Sequence, residues 1–322
     1  MRRKRLDSIT WDDFQQLPLV EKGPYFCQRN GMPFHTLIAQ QFDGDTLDQL
    51  CGLATRIRRI AKSKAGMEFL AGLLPHKRAM LNFSQPSSRT FLSFYAACQT
   101  LGLKVAEIRD ASTSSEMKGE SQEDSMRTFS SYFDMIVMRT PLQGFAEKVA
   151  FLLSNTTRPV PIINAGSGKD QHPTQALLDI YTLQRSFEKS GGIPGKSVAF
   201  VGDLARGRTV RSLAYLLTHY KNVKQYFVAP EALQIGKDIL AQLDAVGVEY
   251  EVTTDFEHVV PLADAIYMTR IQDEWDSAPG ESANLDISNY HFTADHLEKL
   301  KYSAIIMHPL PRRQEIATEV DS

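Results

Sequence analysis

Short apolar runs alternate with longer amphipathic stretches through most of the chain, and this pattern predicts the fold. Nine runs of about four to six residues, rich in Val, Ile, Phe and Met, have the length of buried strands. They are Ala79–Phe83, Val105–Ile108, Met135–Met138, Val160–Asn164, Ser197–Gly202, Gln225–Ala229, Glu249–Thr253, Ala265–Thr269 and Ala304–Met307. Because a helical stretch usually follows each run, the pattern predicts parallel sheets covered by helices on both faces.

Nine strands are more than one small sheet holds comfortably, which indicates two doubly wound α/β domains joined by helices. The first helical pattern runs from about Thr36 to Lys64, and a second long one covers Thr174–Lys189, followed by two glycines. We place the domain boundary at this second helix. We therefore predict an N-terminal extension over residues 1–34, a tail or small capping segment, then a first domain over 35–173 and a second over 174–322.

Composition narrows the functional classes. Hydrophobic residues make up 43% and charged residues 23% of the chain, which is typical of a soluble globular protein. The net charge of −2 gives no reason to expect nucleic acid as a partner, and no apolar run has the length of a membrane helix. The basic start is not followed by an apolar segment, so no secretory signal is predicted. Three widely spaced cysteines exclude a disulfide framework and favour a cytoplasmic location.

Two nucleotide-binding fingerprints fail at the positions where they would be expected. The segment Gly202–Gly207 (GDLARG) follows a strand but lacks the central glycine of the dinucleotide-binding motif. The run Gly166–Lys169 (GSGK) is similar to a phosphate-binding P-loop, but Asp170 stands where Ser or Thr is required and Ile163 where the first glycine should be. Neither class of nucleotide site is predicted.

Polar residues that packing does not explain follow the strands of the first domain. The first strand is followed by Ser84–Thr90 (SQPSSRT) and then by a helix predicted from Phe91 to about Leu101. The free amides and dipole of a helix start, together with hydroxyls and a guanidinium, make a phosphate site. Capping of the helix by one serine is the alternative, but it does not explain Arg89 beside Thr90. We therefore favour an anion site.

Arginines stand at strand ends in both predicted domains. The four are Arg89, Arg139, Arg208 and Arg270. Ligands of open parallel sheets bind beyond the carboxyl ends of the strands, and the planar fork of arginine pairs with phosphate and carboxylate. The set therefore predicts an active site in the interdomain cleft for ligands that carry several negative charges. His172 follows the fourth strand without a second His or Cys at metal-ligand spacing, so no metal is predicted.

Five motifs between about His35 and the C-terminus resemble the aspartate/ornithine transcarbamoylase family in order and spacing. They are Ser87–Thr90 (SSRT), His172–Asp179 (HPTQALLD), Val201–Asp203 (VGD) with Gly207–Thr209 (GRT), Tyr267–Gln272 (YMTRIQ) and His308–Arg312 (HPLPR). Ornithine enzymes carry a Cys in the segment corresponding to the last motif, so the chain is more similar to the aspartate branch. The resemblance implies carbamoyl transfer from carbamoyl phosphate to the amine of L-aspartate in pyrimidine biosynthesis, without cofactor or metal.

The resemblance also implies roles for individual residues. Carbamoyl phosphate would be bound by Ser87, Ser88, Arg89, Thr90, Arg139, His172, Gln175, Leu310 and Pro311. Within that set, Arg139, His172 and Thr90 would be catalytic, because they polarise the carbonyl and stabilise the oxyanion. Aspartate would be bound by Lys118, Arg208, Arg270 and Gln272. Ser114 and Lys118 would reach into a neighbouring subunit's site, which implies a homotrimer with shared sites; no regulatory subunit can be read from the sequence.

The chain departs from the family pattern at several positions. Gln85 replaces a Glu and Trp275 replaces an Arg, so both partners of an interdomain ion pair that holds the closed form are absent. In addition, Ala205 and Arg206 replace a Lys followed by an aromatic residue, and Thr140 replaces a His. Domain closure is therefore expected to be weaker or to be stabilised by other contacts.

Two alternative functions stay open at this stage. The altered closure pair, and the absence of the further helix with which family members usually continue beyond the position of Ser322, fit a non-catalytic scaffold or binding partner. Changes on the acceptor side, above all Trp275, fit a transcarbamoylase for another acidic amine acceptor. Product formation with aspartate separates both alternatives from the main prediction.

Overall fold

Two separate parallel sheets, built from the nine apolar runs, organise the chain. The computed structural model describes residues 4–109, 120–168, 171–276 and 285–321. The chain divides into two units, Met1–Leu177 and Leu178–Ser322, and each unit contains one sheet. The prediction of two parallel-sheet α/β domains is therefore confirmed. The domain boundaries assigned from the sequence stay predictions.

Four strands form the sheet of the first unit. They are β1 (Arg78–Phe83), β2 (Lys104–Ile108), β3 (Met135–Thr140) and β4 (Ile162–Ser167), in the order β2-β1-β3-β4. All neighbours are parallel, and Phe83 at the end of β1 is the register partner of Arg139 in β3. β3 extends beyond the predicted Met138, because its pairing with β4 continues past an irregularity between Met138 and Thr140. The strand order reverses between β1 and β3, and such a switch point is where ligands bind.

Eight α-helices belong to or begin in the first unit, within its described residues. They are α1 (Trp11–Gln16), α2 (Leu19–Lys22), α3 (Gly44–Ile60), α4 (Lys64–Ala71), α5 (Ser88–Thr100), α6 (Gln122–Tyr132), α7 (Phe145–Ser154) and α8 (Pro173–Ser186). Several start with side-chain caps: Asp43, Ser63 and Ser121 each accept a hydrogen bond from a first-turn amide. Helix α5 starts earlier than the predicted Phe91, because its first turn accommodates the polar residues of the preceding segment.

Residues 4–34 contribute to the core of the first unit. Phe14 and Phe26 are completely buried in the same cluster as residues of α7 and β4. Lys22 Nζ lies 2.9 Å from Glu147 Oε2 of α7, and both side chains are more than nine-tenths buried. Breaking such a pair from one side costs about 3–5 kcal/mol, because it leaves an uncompensated buried charge. The segment is therefore anchored to the unit by aromatic packing and by one buried ion pair.

Five strands form the sheet of the second unit. They are β5 (Ser197–Val201), β6 (Lys224–Val228), β7 (Tyr250–Thr253), β8 (Ala265–Met268) and β9 (Ile305–Met307), in the order β7-β6-β5-β8-β9. The α-helices that begin among its described residues are α9 (Arg208–Leu217), α10 (Lys237–Val246), α11 (Phe256–Val259) and α12 (Ala294–Leu297). All strand pairs are parallel. The order reverses between β5 and β8, which gives this sheet its own switch point.

The central strands of both sheets are buried on both faces, as their apolar composition requires. Residues 198–201 of β5 have no exposed surface, and Phe200 stacks on Phe227 of β6 with ring centroids 5.4 Å apart. Each such buried side chain contributes roughly 1.5–3 kcal/mol through removal of apolar surface from water. This packing fixes where the strands end and therefore where the polar loops begin. No helix among the described residues is long and apolar enough to cross a membrane.

Candidate active site

The start of α5 carries the polar residues for which the sequence predicts an anion site, and their role in binding stays a prediction. Ser87 is the N-cap residue, but its side chain makes no capping hydrogen bond, so the plain capping alternative does not describe this helix start. Ser88 and Arg89 are exposed, whereas Ser87 and Thr90 are half-buried. The first-turn amides and the positive end of the helix dipole, with these side chains, favour a bound phosphate.

Backbone and side-chain contacts connect this helix start to the neighbouring strand β3. The Ser84 hydroxyl donates to the Arg139 carbonyl oxygen at 3.2 Å, and the Gln85 amide donates to the same oxygen at 3.3 Å. These bonds place the segment before α5 beside the end of β3. The residues predicted to bind phosphate therefore share one edge of the sheet with Arg139.

Arg139 and His172 lie next to each other at this edge. Arg139 Nη1 donates to the Ala165 carbonyl oxygen at 3.0 Å and lies 3.5 Å from His172 Nε2. His172 is buried, and the Gln175 amide donates to its Nδ1 at 3.3 Å. A neutral ring cannot accept at both nitrogens, and the Gln175 amide makes the shorter contact, so we assign the proton to Nε2. The 3.5 Å approach of Arg139 Nη1 then brings two donors side by side rather than forming a hydrogen bond. Two donors therefore converge where an oxyanion could be stabilised.

The remaining predicted residues of the first unit are placed as follows. Gln175 is half-buried in the first turn of α8 and makes the backbone bond to His172 described above. Thr140, at a family position otherwise occupied by His, is buried, and its hydroxyl accepts from the Leu142 amide at 3.1 Å. Ser114 and Lys118 lie outside the described residues. Their roles stay predictions.

The second unit brings the loops after β5 and β8 together around a buried carboxylate. Asp203 has no exposed surface; its two oxygens accept from the amides of Arg206 at 3.1 Å and Gln272 at 3.0 Å. Burial raises the pKa of Asp203, and the two amide hydrogen bonds oppose that rise. Gly202, at φ +112°, permits this approach, because a Cβ there would meet the Thr269 carbonyl oxygen at 2.3 Å.

Arg270 and Gln272, predicted to bind aspartate, follow β8 and are half-buried. Arg270 forms a two-pronged ion pair with Glu274, with Nη1 2.8 Å from Oε2 and Nη2 against Oε1. The hydrogen bond that Arg270 donates to Glu274 raises the pKa of the guanidinium. The role of Arg270 in binding aspartate stays a prediction, and a ligand carboxylate would have to displace or share the contact with Glu274. The four-residue spacing of these two residues was the sequence signal that was missed.

Arg208, the other arginine predicted to bind aspartate, is the first residue of α9. It follows Gly207, which is the N-cap, and its side chain is half-buried. Its position at a helix start after β5 puts a guanidinium at the same sheet edge as the loop after β8. The second unit thus presents Arg208, Arg270 and Gln272 from two neighbouring strands, as the sequence predicts.

The loop after β9 is held by a buried dyad that sequence reasoning missed. His308 Nε2 lies 2.7 Å from Glu315 Oε1, while the Leu310 amide donates to His308 Nδ1 at 2.7 Å. Although burial acts to raise the pKa of Glu315, its hydrogen bonds from His308 and the Arg313 amide outweigh that effect and lower it. Leu310 and Pro311 are exposed and joined by a cis peptide bond. The carbonyl groups of these two residues therefore belong to a loop that the hydrogen bonds of His308 hold in place.

No group of three or more His, Cys, Asp or Glu residues that could hold a metal ion occurs within the described ranges. The chemistry that the described residues offer is anion binding and hydrogen-bond donation. Both are concentrated at the carboxyl edges of the two sheets, with the switch points at β1/β3 and β5/β8.

Comparisons with known protein families match almost the whole chain. Residues 35–185 match the carbamoyl-P binding domain of aspartate/ornithine carbamoyltransferase, and residues 194–322 match the Asp/Orn binding domain. A chloroplastic aspartate carbamoyltransferase of Arabidopsis thaliana is 44% identical over 284 residues, which are 88% of this chain and 70% of that protein. An aspartate carbamoyltransferase catalytic subunit of Vibrio cholerae is 45% identical over 251 residues, 77% of this chain and 78% of the relative.

Solved structures give the same result. The catalytic subunit of M. jannaschii aspartate transcarbamoylase matches with a TM-score of 0.77 and 37% identity, covering 89% of each chain. Aspartate transcarbamoylase from Trypanosoma cruzi in complex with carbamoyl phosphate and aspartate matches with a TM-score of 0.77 and 35% identity, covering 89% of this chain and 88% of that chain.

Proposed function

The chain belongs to the aspartate/ornithine carbamoyltransferase family, and on that premise we propose that it transfers the carbamoyl group of carbamoyl phosphate to the amine of L-aspartate. The products are N-carbamoyl-L-aspartate and phosphate. The observation that carries the proposal is the convergence of Arg139 and His172 beside the start of α5. If carbamoyl phosphate bound with its phosphate group at that helix start, its carbonyl oxygen would lie within reach of two hydrogen-bond donors.

The first unit would bind and polarise carbamoyl phosphate. The amides at the start of α5, with Ser87, Ser88, Arg89 and Thr90, hold the phosphate. Arg139 and the Nε2–H of His172 stabilise the negative charge on the carbonyl oxygen when the amine adds to the carbon. The bond between the carbonyl carbon and the phosphate oxygen then breaks, and the departing phosphate accepts the proton released by the amine.

The second unit would bind aspartate. An acceptor with two carboxylates matches the guanidinium groups of Arg208 and Arg270, and Gln272 adds a hydrogen-bonding side chain. Binding at Arg270 exchanges the Glu274 carboxylate for that of the substrate, so the net electrostatic gain is smaller than for an unpaired arginine. The relatives named above are aspartate enzymes, which supports aspartate as the acceptor.

We also propose a homotrimer with shared sites, in which Ser114 and Lys118 reach the neighbouring protomer. We keep the prediction of a cytoplasmic location, which the three buried free cysteines support. Sedimentation of the purified protein tests the first of these, because a monomer or dimer contradicts it; cell fractionation tests the second.

The test of the reaction is a product assay with purified protein, carbamoyl phosphate and a panel of amines. We expect N-carbamoyl-L-aspartate, and little product with ornithine or with aspartate derivatives acylated at the amine. Product only with another acidic amine would replace aspartate as the acceptor. A folded protein that binds a bisubstrate-type anion by calorimetry without turnover would instead support the non-catalytic alternative.

A further inference from the structure

Arg206 crosses from the loop after β5 to the loop after β8. Its Nη1 lies 2.8 Å from Asp276 Oδ1 and donates to the Gln272 carbonyl oxygen at 3.3 Å. The Arg206 side chain is 13% exposed and that of Asp276 is 9% exposed. Exposed ion pairs contribute almost nothing to stability, but this pair is largely withdrawn from solvent, and breaking it on one side leaves a buried charge.

The buried carboxylate of Asp203 lies beneath this contact. Arg206 Nη1 is 4.0 Å from Asp203 Oδ2, and Asp203 itself accepts the amides of Arg206 and Gln272. One guanidinium therefore stands between two carboxylates that come from different loops. Burial raises the pKa of Asp203 by disfavouring its charged form, and the nearby Arg206 guanidinium offsets part of that cost.

These contacts fix both ends of the segment that carries the acceptor-binding side chains. Residues 270–276 leave the sheet directly after β8, and Arg206 holds the segment again at Gln272 and Asp276. Arg270 and Gln272 thus lie on a short span secured at each end. Such a span loses less conformational entropy when a ligand binds than a free loop would.

We propose that Arg206 is a positioning residue for the acceptor: it holds the segment 270–276 in the arrangement that binds aspartate. The inference rests on the proposed function. Arg206 stands at a position where the chain departs from its family, which has an aromatic residue there, so the ion pair depends on a side chain particular to this protein. The ion pair orders the aspartate-binding segment through contacts that lie entirely within the second unit.

The kinetic test compares Arg206→Met, Asp276→Asn and the double variant with the wild-type protein. Removal of a charge-assisted contact predicts a KM for aspartate raised about tenfold, with kcat and the KM for carbamoyl phosphate within about threefold. The double variant should be no worse than Arg206→Met alone, because both changes remove the same contact. Arg206→Lys should restore part of the lost affinity.

Arg211→Met is the matched control. Arg211 belongs to the same unit, and its side chain pairs with Asp238 of α10, the helix between β6 and β7. We expect wild-type kinetics from it. Equal losses in both KM values, additive effects in the double variant, or a wild-type KM for aspartate in Asp276→Asn would overturn the proposal. If Arg206→Met does not fold, Asp276→Asn tests the same contact from its other end.

Hydrogen exchange separates failure of this inference from failure of the proposed function. Peptides that cover residues 270–276 should exchange faster in Arg206→Met than in the wild-type protein and in Arg211→Met, whether or not the protein makes product. Unchanged exchange would show that Arg206 does not order the segment. An inactive wild-type protein with faster exchange in Arg206→Met would refute the reaction but retain the ordering role.

Discussion

Arg139 is the residue on which the proposed chemistry depends most. It combines a position near the end of a buried strand with a side chain that reaches the Ala165 carbonyl and approaches His172. A cation held by backbone geometry needs little reorganisation when charge develops on a substrate oxygen, and that is the condition under which electrostatic stabilisation is largest.

Substitution of Arg139 by Ala should therefore reduce kcat about 10²- to 10³-fold, because the oxyanion loses one preorganised donor. Steady-state assays with both substrates at saturation measure this. Arg158→Ala is the control, since Arg158 belongs to the same unit but pairs with Asp134 away from the site. A near-normal rate in Arg139→Ala would remove the assignment.

His35 is a buried histidine whose protonation opposes folding. Its Nδ1 accepts from the Ile162 amide at 3.0 Å and its Nε2 contacts Ser154 Oγ at 2.7 Å, so the folded state requires the neutral ring. Burial lowers the pKa of His35 to about 3. Because the unfolded chain binds this proton near pH 6.5 and the folded chain does not, stability present above that pH is lost as the pH falls towards 3.

The free energy of unfolding should thus fall by up to about 1.4 kcal/mol per pH unit below pH 6.5 through His35 alone. Urea unfolding followed by circular dichroism at several pH values between 7 and 5 measures the slope. His35→Gln should flatten it, whereas His76→Gln, at an exposed position, should leave it unchanged. Equal slopes in the wild-type protein and His35→Gln would contradict the prediction.

At the scale of elements, the loop after β9 shows how a buried pair shapes a functional backbone. Glu315 accepts from both His308 and the Arg313 amide, and it is 7% exposed. The two partners are seven residues apart and enclose Leu310 and Pro311. The carbonyl groups proposed to orient the carbamoyl NH2 therefore depend on a carboxylate that does not touch the substrate.

Removal of this carboxylate in Glu315→Ala should destabilise the second unit by about 1–3 kcal/mol, because His308 and the Arg313 amide lose their acceptor. The kcat should also fall, because the loop that carries Leu310 and Pro311 is then no longer held in place. Glu315→Gln, which keeps an acceptor oxygen, should retain most of the activity. Thermal unfolding and kinetic assays test both effects. Asp321→Ala, which breaks the exposed pair with Arg312, is the control and should change neither measurement.

At the scale of the whole molecule, the shared-site proposal predicts complementation between two inactive variants. Lys118→Ala and Arg139→Ala would each impair every site of their own homotrimer. In mixed trimers, an unmodified Arg139 from one protomer can meet an unmodified Lys118 from its neighbour, so activity should return after the two proteins are dissociated and reassembled together. A mixture of Arg139→Ala with His172→Ala should stay inactive. In the proposed shared site both residues come from the same protomer, so every site in the mixed trimer lacks one of them. Failure of the first mixture to regain activity would contradict shared sites.

The sequence by itself determined the two sheets and, to within about one residue, most of the strand limits. The nine apolar runs were recognisable because buried parallel strands contain little except apolar residues. It also identified the polar residues after β1, β3, β4, β5, β8 and β9, since a strand end in such a fold leaves few other positions for a ligand site. Local spacing was sufficient for both predictions.

Only the tertiary structure decided which polar groups meet. Asp203 receives the amide of Gln272, 69 residues further along the chain. Arg206 pairs with Asp276, 70 residues further along the chain, and the sequence did not predict this pairing. Such pairings depend on the direction in which neighbouring loops leave a twisted sheet. The charged residues of these loops follow no periodic pattern along the sequence, so their partners cannot be predicted from spacing. The pattern of apolar residues therefore specified the scaffold, whereas the three-dimensional approach of the loops specified the electrostatics.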